Sequence, residues 1–363
     1  MTGRHTVVRN RTRPPAGGAQ TQAALPTQAA LPTQAEASTP RTMTEPIATN
    51  PLSGPITVPR GVLLADTGFE AQPLAIGGSV FGWTLGGRDA EAVLDRFAAL
   101  GGTIIDTADA YASGQSEHIV GTWMAARRTR DRMLLTTKVG RLPGRRGLAP
   151  ETLRAAVDES LGRLRTDTID VLYLHGEDPG VPLEESLGAV GALIEAGKVR
   201  ALGASDFSPE RLIEARVLAA NGLPRIQLMT TKYNLIERRP FEGALELVAH
   251  AQGLGVLPYF ALANGFLGGA VRRRADVRHD ARGARLAQHL TRRGHRILAA
   301  LDAIALARGA RPATVALAWL ISRPTVVAPV AGVSRPEQVD ALLAAASLEL
   351  HRSELVELDR ASA

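Results

Sequence analysis

Four ionisable side chains stand where short apolar runs end, or just beyond. They are Asp106, Lys138 and His175, each the last residue of its run, and Tyr111, five residues after Asp106. A tyrosine is a poor acid near neutral pH, with a reference pKa of about 10. A neighbouring ammonium group stabilises the phenolate and lowers that pKa, and Lys138 can supply the charge. These residue types predict a site that donates a proton.

The other two residues suit the same chemistry. Asp106 can hold Lys138 cationic and in place, and His175 can donate a hydrogen bond to a carbonyl oxygen. Together the four would stabilise the oxyanion that forms when hydride reaches a carbonyl, and then protonate it. Taken singly, each has an ordinary explanation as a turn cap, a surface strand end, a buried histidine or loop packing. The prediction depends on all four meeting at one place.

The elements that would position them alternate with a period near 30 residues. Apolar runs predict eight strands, at residues 73–78, 103–106, 133–138, 169–175, 199–205, 225–229, 255–260 and 326–330. Apolar residues at i, i+3 and i+4 predict helices at residues 90–100, 117–126, 150–163, 183–195, 209–220, 241–251, 293–308, 312–321, 336–345 and 353–359. This α/β alternation predicts a (β/α)₈ TIM barrel, whose site lies at the carboxyl ends of the strands.

An open doubly wound sheet is the rival architecture. It would place a Gly-x-Gly-x-x-Gly turn after the first strand. The run from Gly77 to Gly82 reads Gly-Gly-Ser-Val-Phe-Gly and lacks that spacing, and a Walker loop is absent as well. We therefore favour the barrel.

Residues 1–55 are predicted to be a disordered tail and residues 56–363 the barrel domain. The tail is rich in Pro, Thr, Gln and Ala, and its hexamer Thr-Gln-Ala-Ala-Leu-Pro starts at Thr21 and again at Thr27. Such a segment buries too little apolar surface to offset its ordering entropy. It has no apolar region typical of a secretion signal, and a natural start at Met43 would explain it equally well. Short runs at 61–64 and 69–71 predict an N-terminal hairpin.

The composition narrows the class of protein. The chain has 363 residues, 45% of them hydrophobic, and no cysteine, which excludes disulfides and thiolate metal sites. The sequence contains no run of 18 apolar residues, so it predicts no membrane-spanning helix. The net charge is +6, but aromatic residues are only 4%, which argues against a nucleic-acid partner. We expect a cytoplasmic monomer that binds no metal.

The motifs around the four residues resemble those of the aldo-keto reductase superfamily, over about residues 60–346. They are Ile105–Tyr111 with Ser116-Glu117, Thr137–Gly140, and Asp170–His175. The resemblance implies an oxidoreductase that acts on aldehyde, ketone or sugar carbonyls, or on the alcohols in reverse. It implies Tyr111 as the general acid, Lys138 and Asp106 as its tuning partners, and His175 as the residue that orients the substrate. The implied cofactor is NADP(H), or else NAD(H), bound without a Rossmann domain.

The same resemblance implies the cofactor and substrate contacts. Ser205, Asp206 and Gln227 would hold the nicotinamide carboxamide, Tyr259 would stack on the ring, and Arg335 would pair with the adenosine 2′-phosphate. The further cofactor-binding residues implied are Gly78, Ser79, Phe260, Leu262 and Gln338. Phe81 and Trp83, in the loop after the first strand, would wall the substrate pocket.

The sequence departs from the family pattern in two places. Asp206 stands where the family has asparagine, and a carboxylate only accepts hydrogen bonds. Its charge would favour the oxidised, cationic nicotinamide. Ala341 and Leu342 stand where a Glu-Asn pair often contacts adenine.

The insertion at residues 261–291 carries many arginines, Arg285 among them, and is either a solvated loop or a lid over the cofactor pyrophosphate.

Two other functions remain open at this stage. One is a binding or regulatory subunit with little turnover, like the potassium-channel β subunits that share the barrel. The other is a barrel hydrolase or aldolase in which Lys138 forms a Schiff base with the substrate.

Overall fold

The computed structural model describes residues 61–277 and 281–363, and a parallel barrel organises them. The tail predicted for residues 1–55 lies outside the described residues. The strands are β1 (Val62–Leu63), β2 (Glu70–Ala71), β3 (Ala75–Gly77), β4 (Ile104–Asp106), β5 (Leu134–Val139), β6 (Arg141–Leu142), β7 (Arg145–Arg146), β8 (Ile169–His175), β9 (Val199–Ser205), β10 (Ile226–Thr230), β11 (Gly255–Val256) and β12 (Val330–Ala331).

Eight of these strands form one sheet, in the order β11-β10-β9-β8-β5-β4-β3-β12. Every neighbouring pair is parallel. Backbone hydrogen bonds of 2.8 Å, from Val256 N to Thr325 O and from Val330 N to Pro258 O, join the segments of the two edge strands. The sheet therefore closes, as the sequence predicts.

Helices cover the outside of the barrel. They are α1 (Gly87–Ala99), α2 (Gln115–Arg127), α3 (Pro150–Leu164), α4 (Leu183–Glu195), α5 (Pro209–Ala220), α6 (Ala244–Gln252), α7 (Ala281–Ala287), α8 (Arg292–Arg308), α9 (Pro312–Ile321), α10 (Glu337–Leu343) and α11 (Arg352–Ser362). α3 buries Leu153, Val157 and Leu161, which recur every fourth residue and so share one face. α5 begins with Pro209, and the hydroxyl of its N-cap Ser208 accepts from Arg211 N at 3.2 Å.

Side chains of the strands alternate between the barrel interior and the helix layer. The interior cluster includes Ala75, Ile104, Leu134, Val171 and Tyr173. Their strand neighbours Ile76, Ile105, Leu135 and Leu172 pack on the helix side. Tyr173 is accommodated because β9 carries a glycine beside it. A Cβ at Gly203 would lie 2.4 Å from the Tyr173 ring, so a larger residue there would displace that ring.

The hairpin of β1 and β2 closes the amino-terminal end of the barrel. It is antiparallel, and its Leu64 and Ala71 belong to the interior cluster. Asp66, in the turn, pairs with Arg225, the residue just before β10. With one end plugged in this way, the carboxyl ends of the strands are left as the open end.

The seventh and eighth barrel strands are shorter than predicted. Runs at residues 255–260 and 326–330 predict full strands, whereas β11 ends at Val256 and β12 begins at Val330. Pro258 and Pro329 lie in those runs, and a proline cannot donate to a strand ladder. Between residues 255–260 and 326–330, isolated backbone hydrogen bonds therefore replace part of the regular strand pairing.

Within the described residues, no single helix is both long and apolar enough to cross a bilayer. α8 and α9 satisfy the length and composition only as a pair, and that pair is bent by 97°. Both helices contribute fully buried residues to the core.

Candidate active site

The four predicted proton-transfer residues meet at the open end of the barrel. Asp106 ends β4, Lys138 is the penultimate residue of β5, and His175 ends β8. Tyr111 begins a short 3₁₀ turn, Tyr111–Gly114, that follows β4. All four line one cavity.

Lys138 and Asp106 form a buried ion pair. The Lys138 Nζ lies 2.7 Å from Asp106 Oδ1 and 2.6 Å from Oδ2, and it also donates to Thr107 O at 3.1 Å. Thr136 donates to Asp106 Oδ1 at 2.9 Å. Burial lowers the pKa of Lys138, but Asp106 and, to a smaller extent, Tyr111 together outweigh burial, and the pKa lies above its usual value. The lysine is therefore a fixed cation at neutral pH.

Tyr111 lies between this cation and His175. Lys138 Nζ is 5.2 Å from the Tyr111 ring centroid, and the Tyr111 and His175 rings meet edge to face with centroids 6.2 Å apart. Burial raises the pKa of Tyr111, whereas the charge of Lys138 lowers it as predicted. Burial prevails over the Lys138 charge in this structure, so the pKa of Tyr111 lies above its usual value and the hydroxyl stays protonated at neutral pH.

The turn that holds Tyr111 is strained. Ala112 and Ser113 have φ of 48° and 55°, in the left-handed region that non-glycine residues seldom adopt. Such residues cost about 1–3 kcal/mol each and concentrate at functional sites. Asp206 and Phe260, both at the cavity, each have φ of 53°. These strained residues lie at the same end of the barrel as the four central residues, which supports the assignment of that end as the functional site.

His175 is neutral at physiological pH. Burial, with the charges of Lys138 and Arg141, lowers the pKa of His175 to about 3. Its Nδ1 is buried and has no hydrogen-bond partner among the described residues. Nε2 is thus the ring nitrogen available to a substrate, and a neutral imidazole can donate from it.

A second buried polar cluster supports the site from behind. Glu117, fully buried at the start of α2, accepts from Thr137 Oγ1 at 2.6 Å and from Arg163 Nε at 2.7 Å. Asp109 is also fully buried, and its Oδ2 accepts from Gly140 N at 3.4 Å. Burial, then the nearby Glu117 charge, raises the pKa of Asp109 to about 6.

The raised pKa of Asp109 predicts a pH-dependent cost to stability. Between its reference value and about 6, the folded protein holds a proton that the unfolded chain has released, so stability falls as pH rises through that window. The full cost above it is about 3 kcal/mol. We expect Asp109→Asn to be more stable than the wild type by up to about 3 kcal/mol near pH 8 and nearly equal to it near pH 4.

Urea unfolding at the two pH values measures this difference. Asp167 is exposed, so Asp167→Asn is the matched control and should change stability by less than about 0.5 kcal/mol at both. A destabilised Asp109→Asn near pH 8 would show that the Asp109 carboxylate is a net stabiliser, contrary to this reading.

The cavity has a volume of about 380 Å³ and collects most of the predicted contacts. Besides the four central residues, the predicted residues that line it are Ser79, Trp83, Ser205, Asp206, Tyr259, Phe260 and Leu262. Arg285, from the arginine-rich insertion, lines it as well. The lining residues that the sequence did not indicate as site residues are Gly77, Val80, Arg141, Ala261, Asn264, Gly265 and the segment Val330–Gly332. Arg141 could have been found from the sequence, because it lies only three residues after Lys138, just beyond the end of β5.

Asp206 lies at the cavity wall with both oxygens engaged. Tyr259 OH donates to Oδ1 at 2.9 Å, and Arg141 Nη1 donates to Oδ2 at 3.2 Å. The sequence suggested neither partner. A carboxylate has lone pairs for further donors, so Asp206 can still accept from a ligand.

Two predicted site residues lie elsewhere. Gln227 is the second residue of β10 and donates to Asp66 O, in the hairpin turn, at 3.2 Å. That is the plugged end of the barrel, so its assignment to the nicotinamide is wrong. Phe81 is fully buried in the hydrophobic core, and only Trp83 of the pair lines the cavity. The assignment of Phe81 to the pocket wall is also wrong.

Three further predicted residues lie outside the cavity lining. Gly78 accepts from Ser116 Oγ at 2.8 Å, and a Cβ there would lie 2.6 Å from that oxygen, so Gly78 provides close packing. Gln338 Oε1 accepts from Ser334 N at 2.9 Å and Arg335 N at 3.1 Å. Arg335 is exposed. Their roles in cofactor binding stay predictions.

No group of three His, Cys, Asp or Glu side chains in the described ranges could hold a metal ion.

Known proteins match most of the chain. The model of the Aldo/keto reductase family matches residues 73–363. Norsolorinic acid reductase stcV of Emericella nidulans is 32% identical over 317 residues, which cover 82% of this chain and 80% of that protein. Aldo-keto reductase YhdN of Bacillus subtilis is 33% identical over 296 residues, 77% of this chain and 86% of that protein. Aryl-alcohol dehydrogenase GME11368 of Pestalotiopsis microspora is 30% identical over 317 residues, which cover 82% of this chain and 81% of that protein.

Proposed function

Because the chain belongs to the aldo/keto reductase family, and is thus an oxidoreductase, we propose that it is an NADP(H)-dependent enzyme that reduces aldehyde, ketone or sugar carbonyls, or catalyses the reverse oxidation. One observation carries the proposal: Tyr111 lies between the Lys138–Asp106 ion pair and His175 in a single cavity. A proton donor, a fixed cation and a neutral hydrogen-bond donor are the groups that carbonyl reduction requires.

The geometry supports the following role for each residue. His175 donates a hydrogen bond to the carbonyl oxygen and orients it towards Tyr111. A bound nicotinamide would supply the hydride. As negative charge develops on the oxygen, Tyr111 transfers its hydroxyl proton there. The phenolate left behind is stabilised by the Lys138 ammonium, which Asp106 holds in place.

Several residues at the cavity suit NADP(H). The Ser205 hydroxyl can donate or accept and the Asp206 carboxylate can accept, which matches the carboxamide of nicotinamide. The Tyr259 ring lies at the same wall. Arg285 adds a cation that suits the pyrophosphate. The exposed Arg335, near the cavity segment Val330–Gly332, would pair with a 2′-phosphate, which favours NADP(H) over NAD(H).

The cavity mouth suits an aromatic substrate. Trp83 and Phe260 line it and remain 58% and 40% exposed, unusual for such large apolar side chains. Two of the relatives above are named for norsolorinic acid and for aryl alcohols. Aromatic aldehydes therefore belong in the substrate panel beside aliphatic aldehydes and aldoses.

The Schiff-base alternative is disfavoured. A lysine must lose its proton to attack a carbonyl, but Lys138 bonds both Asp106 oxygens and has a raised pKa. No observation favours the regulatory subunit over the enzyme. A cytoplasmic monomer stays a prediction.

The test is NADPH oxidation, followed at 340 nm, with the substrate panel. The proposal expects turnover with at least one aromatic or aliphatic aldehyde, and a lower rate with NADH. A purified, folded chain that oxidises neither cofactor with any substrate would refute the enzyme assignment.

The charge of Asp206 should shift the preference between cofactor redox states. We expect Asp206→Asn to lower the affinity for NADP⁺ relative to NADPH by about threefold, the scale of a partly exposed ion pair. Arg141 already neutralises part of this charge and Tyr259 donates a hydrogen bond to it, which keeps the effect modest. Fluorescence titration of the two cofactors measures the ratio. Asp158→Asn, which removes an equal charge from a surface pair with Lys198, is the control. An unchanged ratio in Asp206→Asn would contradict the hypothesis.

A further inference from the structure

Arg141 places a cation at the cavity wall, next to the residue that orients the carbonyl. It begins β6 directly beyond β5, and its side chain is 47% exposed where it lines the cavity. Its guanidinium lies over Gly176, the residue after His175. A Cβ at Gly176 would be 2.6 Å from Arg141 Nη2. Gly176, with φ of +101°, thus leaves the space that the guanidinium occupies.

The guanidinium is only partly used. Its Nη1 donates to Asp206 Oδ2, and this is its one hydrogen-bond partner in the described part of the chain. A guanidinium has five N–H donors in a planar fork, and two of them together match a carboxylate. Arg141 can therefore keep Asp206 on one edge while another edge binds a second anion.

The charges around the cavity favour an anion. Three cations line it, Lys138, Arg141 and Arg285, against two carboxylates, Asp106 and Asp206. Lys138 and Asp106 neutralise each other as a buried pair, and His175 is neutral because its pKa is about 3. Arg141 and Asp206 also form an ion pair, so the lining keeps an excess of one positive charge. Arg141 remains the cation nearest to the residue after His175, and most of its donors are unused.

We propose that Arg141 recognises a carboxylate on the substrate, and that the enzyme prefers carbonyl compounds that carry one. The inference rests on the proposed function and narrows its substrate class to aldehydes or ketones with an anionic group. The same guanidinium could instead meet a phosphate of the cofactor, and the experiment separates these two sources of anion.

The test compares matched substrates. For the wild type, kcat/KM is measured with 2-, 3- and 4-carboxybenzaldehyde and with the corresponding methyl formylbenzoates, which are similar in shape but neutral. We expect at least one acid to exceed its ester at least tenfold, the scale of one charge-assisted hydrogen bond. The isomer that shows the preference also reports where the carboxylate lies.

Arg141→Met should then lower kcat/KM for that acid at least tenfold more than for its ester, mainly through KM. Arg141→Lys should retain part of the preference, because it keeps the charge but loses the fork. Arg145→Met is the control, since Arg145 lies on the same hairpin but pairs with Glu159 outside the cavity lining. It should preserve the acid-to-ester ratio.

Three results would overturn the proposal while leaving the proposed function standing. The first is a wild type that turns over the esters and shows no preference for any of the three acids. The second is an Arg141→Met variant in which kcat/KM falls equally for acid and ester. If that variant also binds NADPH less tightly in a fluorescence titration, Arg141 belongs to the cofactor site.

The third is a wild type that is inactive on these acids and esters but active on other carbonyl compounds of the panel. Inactivity across the whole panel would instead refute the proposed function itself.

Discussion

Tyr111→Phe is expected to lower kcat/KM for carbonyl reduction by about 10³-fold, within the range of about 10²–10⁴ typical of a general acid. The substitution removes one hydroxyl and keeps the ring. The edge-to-face contact with His175 and the packing over Lys138 should therefore persist. Without the Tyr111 hydroxyl, the oxyanion would have to take its proton from a less well placed donor such as water.

Steady-state kinetics and cofactor titration measure this effect. The loss should fall on kcat, while the affinity for NADPH changes little, since the hydroxyl acts on the substrate oxygen. If Tyr111 served only to hold the fold together, Tyr111→Phe would lose stability together with activity. Thermal unfolding of the variant distinguishes the two.

Tyr173→Phe is the matched control. Tyr173 is also buried, and its ring centroid lies 5.7 Å from Lys138 Nζ. Its hydroxyl has no hydrogen-bond partner among residues 61–277 and 281–363, and Tyr173 does not line the cavity. We expect this variant to keep activity within about twofold and to be as stable as the wild type or slightly more so. If both variants retained full activity, Tyr111 would not be the acid.

The strand ends explain why this much of the site is predictable. Asp106, Lys138 and His175 each close an apolar run, and in a parallel barrel all such ends face the same side. Tyr111 then lies near them because only a short turn separates it from β4. Barrel topology turns three separate sequence positions into neighbours without any knowledge of side-chain contacts.

The errors have a physical cause as well. Gln227 belongs to β10, and it lies at the amino end because the strand continues to Thr230. A motif assigns a residue type, but the position along the strand decides which end of the barrel the side chain reaches. Phe81 lies in a loop, where no periodicity indicates whether a side chain faces the core or the cavity.

The electrostatic features were the least predictable. The raised pKa of Asp109 comes first from its burial and then from the charge of Glu117, which lies on α2 beyond the turn that begins at Tyr111. The net upward shift for Tyr111 requires its burial to outweigh the Lys138 charge. Such balances depend on depth in the fold, which an apolar pattern does not specify.

Lys138→Met is expected to destabilise the protein by about 3–5 kcal/mol near neutral pH, because it leaves the Asp106 charge buried and unpaired. Asp106 is only 3% exposed, and of its described donors only Thr136 would remain. Urea unfolding measures the loss. Lys198→Met is the matched control among the chain's three lysines, because Lys198 pairs with Asp158 at the surface. It should cost less than about 1 kcal/mol.

A double variant separates folding from chemistry. Asp106→Asn with Lys138→Met removes both charges, so we expect it to recover most of the stability that Lys138→Met loses. It should nevertheless stay at least about 10²-fold below the wild type in kcat/KM, because no cation remains to stabilise the Tyr111 phenolate. A double variant that regained both stability and activity would show that Lys138 serves only to neutralise Asp106. Recovery of stability alone would identify the lysine charge as the group that makes a buried tyrosine an effective acid.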